Sequence, residues 1–219
     1  MTHHEVEKYR KSIRVLHWVH AGSFVLLFLT GLVLFIPGVL GFLAEDSWTR
    51  VIHRIAAVIF VIAPIIYIIL DPKAAGRGLK QASNWNSEDM GWLRAAPRYY
   101  FLGDEKGMPP QGSMNTGQKM WWFIIIVFGI LFVITGAIMW FAKASAPSAV
   151  LSWMVFIHDV SFIITGSMFF LHLYLGVLHP VMTESWKAMT GGKISAEYAK
   201  AHHGKWYEEI TRNKKEQTQ

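Results

Sequence analysis

Cysteine is absent from all 219 residues, and its absence removes several chemistries at once. There is no disulfide scaffold, no thiolate-held iron–sulfur cluster, no Cys-rich zinc site and no C-x-x-C-H attachment of a c-type haem. Charge is scarce as well: 16% of residues are Asp, Glu, Lys or Arg, against roughly 25% in an ordinary soluble domain. Acidic residues are the scarcer sign, 15 against 21 Lys and Arg. In their place the chain is 53% hydrophobic, with ten Trp, fourteen Phe and a mean hydropathy of +0.29. Such material either fills an oversized core or lies in long runs, and here it lies in runs.

Windows of about 19 residues resolve four candidate membrane helices, at 14–36, 51–70, 120–142 and 150–178. The first stops at Pro37-Gly38 and the second at Asp71-Pro72, both ordinary helix endings. Trp121-Trp122 and Trp140-Phe141 bracket the third like interfacial girdles. The fourth, which ends at His179-Pro180, is longer than a bilayer needs at about 1.5 Å per residue and must tilt or protrude. The first span is too long for a signal peptide and no A-x-A-like site follows it, so it is read as a mature helix. What remains is an N-terminal arm (1–13), a long loop (71–119) and a C-terminal tail (181–219), around a transmembrane region at 14–180. None of them alone is large enough for a second catalytic domain with its own core.

The net charge of +6 is not spread evenly. Eighteen of the Lys and Arg fall in the long loop, the tail and the arm counted through Arg14, and only Arg50, Arg54 and Lys143 fall on the opposite side. The positive-inside rule therefore places both termini in the cytoplasm. The same distribution argues against nucleic-acid binding.

An ionisable residue inside a spanning helix is costly and by default a functional hypothesis. His17 lies near the start of the first span, His53 near the start of the second, and His158 and His172 lie in the fourth. The last two are fourteen residues apart, so both rings leave one face within about 40° and about 21 Å apart along the axis. That spacing makes two stacked sites rather than one. Helix direction then pairs His17 with His172 toward the cytoplasmic side and His53 with His158 toward the external side. Two His pairs, one above the other in a four-helix bundle, suit bis-imidazole ligation of two b-type haems. Neutral imidazole avoids the burial penalty that Lys or Glu would incur.

The bland alternative, four packing histidines bonded to neighbouring carbonyls, does not account for their matched depths. Gly22, Gly31, Gly129, Gly136, Gly166 and Gly176 read first as close-packing positions and second as room for a porphyrin. His20, one turn after His17, is an equally placed ligand by depth alone. His179 reads as solvated at a helix end, and His3, His4, His202 and His203 as solvated or surface residues. From a different class, a His-based metal transporter or a cofactor-free membrane anchor remains open. A carrier would favour broken helices and repeats; Pro64 could break one helix, but no internal repeat is apparent.

The phrases Arg14-Val15-Leu16-His17-Trp18, Val51-Ile52-His53-Arg54, Asn115-Thr116-Gly117-Gln118-Lys119-Met120, Ile157-His158 and Leu171-His172-Leu173-Tyr174 carry a resemblance, as does the tail from Gly191-Gly192-Lys193 to Ala201-His202-His203-Gly204-Lys205-Trp206-Tyr207. Together they resemble, nearly end to end, the cytochrome b (gamma) subunit of respiratory formate dehydrogenase. The resemblance implies two haems b, with His53/His158 holding the external one and His17/His172 the cytoplasmic one, and it favours His17 over His20. It further implies a menaquinone site at Asn115, with Gly117 and Gln118 beside it and His172 near. The implied setting is the bacterial inner membrane and its lipid, within a complex, possible as an oligomer, with an iron–sulfur subunit and a molybdenum- or tungsten-dependent catalytic subunit. Substrate oxidation would belong to that partner. Arg54 and Asp159 depart from the pattern and are expected to pair with each other or with a haem propionate. The cytochrome b of a nickel–iron hydrogenase, or of another quinone-linked oxidoreductase, shares the same ligand logic.

Overall fold

The computed structural model describes residues 4–36, 40, 43, 48–104 and 106–216. The expected helix ending at Pro37-Gly38, and His3, lie outside the described residues. The chain divides into two compact units, one made of 11–72 and 124–174 and the other of 1–10, 73–123 and 175–219.

The first unit is built on four long apolar helices: α1 (Lys11–Phe35), α2 (Trp48–Leu70), α5 (Thr116–Phe141), whose residues from 124 onward belong here, and α6 (Ser148–Leu173). Each is long and apolar enough to cross a membrane, and they form a four-helix membrane bundle. Their starts precede the sequence expectation by two to four residues, because polar first turns belong to the helices but not to the apolar runs.

The packing is inverted relative to a soluble protein. The buried positions are small, at Ser23, Ala56, Thr135, Ser161, Thr165 and Gly166, while Leu29, Ile59, Ile66, Ile130 and Phe156 face outward. Small residues let helix backbones approach where burial of large side chains gives no advantage over lipid. Gly166 is the tightest case, since a Cβ there would lie 2.8 Å from Cε2 of Phe28. Gly31 and Gly129 also face ring edges, whereas Gly22 and Gly176 have open space around them. The buried hydroxyls spend their protons on their own helices, as Ser161 does on the Ile157 carbonyl and Thr165 on the Ser161 carbonyl.

Pro64 does not break α2, which runs through it, but its missing N–H leaves the carbonyl of Phe60, four residues earlier, without a helical donor. His20 fills the vacancy: its Nε2 lies 3.1 Å from that oxygen and its ring stacks on Phe60 at 3.9 Å.

In the second unit, a two-stranded antiparallel sheet joins the two ends of the chain. Strand β1 (Glu5–Glu7) pairs with β2 (Lys193–Ser195) in the register Glu5–Ser195, Val6–Ile194 and Glu7–Lys193. Around it lie α3 (Pro72–Ser83), α4 (Ser87–Leu102), a π-helical turn (Tyr174–Leu178), a 3-10 turn (Pro180–Met182), α7 (Thr183–Gly191), α8 (Ala196–His202) and α9 (Gly204–Glu216). Arm and tail, each too short for a core alone, pool into one. Val6, Ala188, Ile194 and Ala199 are its centre, with Tyr9, Tyr198, Trp206 and Tyr207 packed on them. The fourth span thus leaves α-helical geometry at Tyr174 and ends before Pro180, whose missing N–H cannot continue a helix. Gly103 ends α4 in the left-handed conformation, at φ +67°, a position that favours glycine.

Two expectations for histidine, at His179 and His203, are corrected here. His179 is 6% exposed; its Nε2 lies 3.0 Å from the Tyr100 carbonyl at the end of α4, and its ring stands edge-on to Tyr100. His202 stacks on Tyr198 at 4.1 Å and meets the Tyr99 hydroxyl through Nδ1 at 3.0 Å. His203 is 4% exposed, and its Nδ1–H donates to the Gly112 carbonyl at 2.8 Å. All three were expected in solvent or at the surface because they lie outside the apolar spans, but the folded loop and tail bury His179 and His203 and half-bury His202. His4 is exposed, as expected.

Burial, with the Lys8 ammonium nearby, pushes the His203 imidazole down to about 3. A depressed imidazole contributes stability fully above its unfolded value of 6.5, and that contribution is lost as pH falls toward 3, because the unfolded chain takes up a proton that the folded chain refuses. Between pH 7 and 4.5 the unit is expected to lose on the order of 2–3 kcal/mol through this group. Trp fluorescence melts at the two pH values check it, and His203→Gln should flatten the difference.

Candidate functional site

His53 on α2 and His158 on α6 face each other across the bundle, with ring centroids 6.4 Å apart and planes inclined by 54°. Metal–imidazole bonds of about 2 Å, plus about 1.1 Å from each nitrogen to its ring centre, separate two imidazoles on opposite sides of one ion by roughly 6.3 Å. The observed spacing fits a single ion held between them.

The state of the rings fits as well. His53 Nδ1 lies 2.8 Å from Thr30 Oγ1, and His158 Nδ1 lies 2.8 Å from Thr135 Oγ1. Among the described residues, neither Nε2 makes a hydrogen bond. A Cβ on Gly31 or on Gly136 would stand 3.7 Å from Cε1 of His53 or His158 respectively, so both rings lie against glycine backbone. Phe132 meets the His158 ring edge-on at 4.8 Å.

His17 lies on α1 and His172 on α6, two helices of the same unit. His17 Nδ1 is buried and has no hydrogen-bond partner among the described residues, an orphaned polar atom of the kind that marks a site. His20, one turn on, is committed instead to the Phe60 carbonyl.

Among the described residues no group of three or more His, Cys, Asp or Glu is placed to hold a metal ion. The donor sets are pairs of imidazoles. Paired imidazoles would suit an iron carried by a porphyrin better than a four-coordinate protein site.

Arg54 and Asp159 form no ion pair with each other among the described residues. The Arg54 guanidinium instead sits 5.1 Å from the Trp140 ring centre, a cation–π contact. Adjacency to two facing histidines suggested the pairing, but their side chains leave the helices in directions that the ligand positions do not dictate.

In the second unit, Asn115 is the N-cap of α5. Its Oδ1 accepts from the Gln118 amide at 2.9 Å, and Gln118 Oε1 accepts from the Asn115 amide at 3.0 Å, a reciprocal capping box. Asn115 thereby satisfies an amide of the first turn of α5. The Asn115 side-chain nitrogen makes no hydrogen bond among the described residues, and Gln118 Nε2 donates to the Tyr9 hydroxyl at 3.3 Å. Gly117 lies beneath Trp92, where a Cβ would stand 3.1 Å from the ring.

The rest of the motif is equally engaged. Thr116, fully buried, donates its hydroxyl to Asp89 at 2.7 Å, and Lys119 grips both oxygens of Asp89 at 2.8 and 2.9 Å. Burial alone would push the Asp89 carboxyl up, but the Lys119, Thr116 and Asn86 hydrogen bonds hold it below its usual value. A cleft of about 260 Å³ opens beside this cluster, lined by Gln81, Asn84, Gln111 and the pairs Lys119–Asp89 and Lys205–Glu88.

Thr30 and Thr135 are the residues that sequence reasoning missed. Each precedes its histidine by 23 positions, and each is followed by glycine. The signal was an internal repeat at an offset of 105. Leu29-Thr30-Gly31-Leu32-Val33-Leu34-Phe35-Ile36 matches Ile134-Thr135-Gly136-Ala137-Ile138-Met139-Trp140-Phe141, and Ile52-His53 matches Ile157-His158. The expectation that no internal repeat exists is thereby corrected; apolar filler had masked it.

The description of the prokaryotic cytochrome b561 family matches residues 8–192. Among known proteins, the chain is 28% identical over 200 residues to the cytochrome b556(Fdn) subunit of nitrate-inducible formate dehydrogenase of Escherichia coli K12, covering 90% of this chain and 88% of that one. It is 24% identical to the formate dehydrogenase cytochrome b556(fdo) subunit of the same organism, covering 94% and 93% of the two chains. To the formate dehydrogenase cytochrome b556 subunit of Haemophilus influenzae it is 22% identical, covering 96% and 85%.

Proposed function

Because the chain belongs to the prokaryotic cytochrome b561 family, we propose that it is the membrane-embedded haem b subunit through which a formate dehydrogenase delivers electrons to menaquinone. The observation that carries the proposal is the His53–His158 pair, at a spacing that fits one iron, with each Nδ1 held by a threonine and each Nε2 left over. His17 and His172 are assigned to a second haem. Bound haem b supplies one-electron transfer at each pair.

The protein's share is position, donor strength and dielectric. The helices seat each imidazole at a fixed depth, and the apolar outer faces hold the bundle in lipid. The Lys and Arg distribution supports cytoplasmic termini. On that orientation His17, His172 and Asn115 lie on the cytoplasmic side of a bacterial inner membrane, and His53 and His158 on the outer side. The spare Asn115 nitrogen is a donor for a quinone carbonyl, with Gly117 and Gln118 shaping its surroundings. Quinone reduction consumes protons. Lys8, which burial lowers to about 7, can hold one at Nζ at neutral pH.

The similarity to three formate dehydrogenase subunits supports partnership with an iron–sulfur subunit and a molybdenum- or tungsten-containing catalytic subunit. Affinity purification of the chain from detergent-solubilised membranes tests this. Molybdenum or tungsten should copurify, together with formate-dependent reduction of a menaquinone analogue. Nickel in their place would overturn the formate assignment.

A further inference from the structure

The Thr30 hydroxyl lies 2.6 Å from the Leu26 carbonyl, and the Thr135 hydroxyl 2.7 Å from the Leu131 carbonyl. A hydroxyl has one proton, and in each threonine the carbonyl four residues earlier takes it. The contact with histidine then has only one consistent form, in which Nδ1–H donates to the threonine oxygen at 2.8 Å. That fixes the same tautomer in both rings, with the Nε2 lone pair free. The repeat makes the two arrangements equivalent: the same 23-residue spacing, the same hydrogen-bond length and a glycine at which an added Cβ would stand 3.7 Å from Cε1 in both. No such match exists for the other pair, because the positions 105 residues from His17 and His172 are Trp122 and Tyr67.

We propose that Thr30 and Thr135 are paired positioning residues, which lock the tautomers of His53 and His158 and strengthen both as electron donors to one shared haem iron. The inference rests on the assignment of that pair to a haem. A hydrogen bond from Nδ1–H to an oxygen makes the imidazole more basic, and a more basic axial ligand favours ferric over ferrous iron. Together the two threonines therefore hold the midpoint potential of this haem down, in equal shares.

Redox titration and electron paramagnetic resonance of the purified complex test the inference, with haem content measured first. Thr30→Val and Thr135→Val should each keep two haems and raise one midpoint potential by similar amounts. The double variant should show about twice the single shift, and Thr→Ser at either position should restore the original value. Should valine cost the haem, its recovery with serine supports the inference equally, and its loss in the serine variants overturns it. An unchanged or lowered potential with both haems present also overturns it. If instead His53→Ala and His158→Ala leave both haems in place, the haem assignment of the pair has failed, and the inference falls with it.

Discussion

Replacing His158 by alanine is expected to reduce haem b from two per chain to one. His53→Ala should remove the same haem, and the double variant should be no worse than either single one, because both ligands serve one iron. His17→Ala or His172→Ala should remove the other. Loss of an outer-shell partner typically costs about 10–100-fold in metal affinity or activity, and loss of an axial ligand is expected to exceed that for formate-dependent quinone reduction. His20→Phe is the control. His20 is occupied with the Phe60 carbonyl that Pro64 leaves open, so the variant should keep both haems while losing about 1–3 kcal/mol for the carbonyl it strands. Pyridine haemochrome assays on the purified variants distinguish these outcomes.

The second large effect is expected on folding, at Lys119. Its side chain is 12% exposed and its partner Asp89 only 2%, so Lys119→Met leaves a carboxylate buried without a counter-ion. Breaking such a pair costs about 3–5 kcal/mol, whereas the exposed pairs Arg98–Asp104 and Lys187–Glu184 are worth about 0–1 kcal/mol each. Asp89 also closes the capping box of α4 by accepting from the Asn86 amide at 2.9 Å, so Asp89→Leu/Lys119→Met should recover only part of the loss. The carboxyl of Asp89 is depressed when folded, so its contribution is present above the unfolded value of 3.8 and vanishes as pH falls below it. Denaturant unfolding followed by Trp fluorescence reads these differences.

The motif Asn115-Thr116-Gly117-Gln118-Lys119 therefore has two layers of meaning. In the sequence it carried a family resemblance. In the structure every residue of it is also engaged in fixing the start of α5 against the extramembrane loop. Substitutions there are expected to disturb folding and quinone chemistry together, and only the spare nitrogen of Asn115 separates the two.

The bundle was legible in the sequence because lipid imposes its pattern on whole segments. Apolar runs of about 20 residues are visible without knowing what packs on what, and a helix repeat of about 3.6 residues per turn places His158 and His172 on one face by arithmetic. Nothing comparable announces the second unit. Its two strands are three residues each and nearly two hundred positions apart. Its key hydrogen bonds join residues such as Lys8 to Ser113 and Tyr99 to His202. No local periodicity encodes such contacts, so His179 and His203 read as solvated when they are buried. Thr30 and Thr135 were hidden for a different reason. Hydroxyls in spanning helices commonly bond their own backbone, and only the facing histidines give these two a second partner.

The most direct test of the account is the haem content of the purified wild-type protein, from a pyridine haemochrome assay against protein concentration, with a dithionite-reduced-minus-oxidised spectrum to establish the haem type. Two haems b per chain is the predicted result. A folded chain carrying none, or only one, would contradict the paired-histidine architecture on which the proposed electron transfer depends.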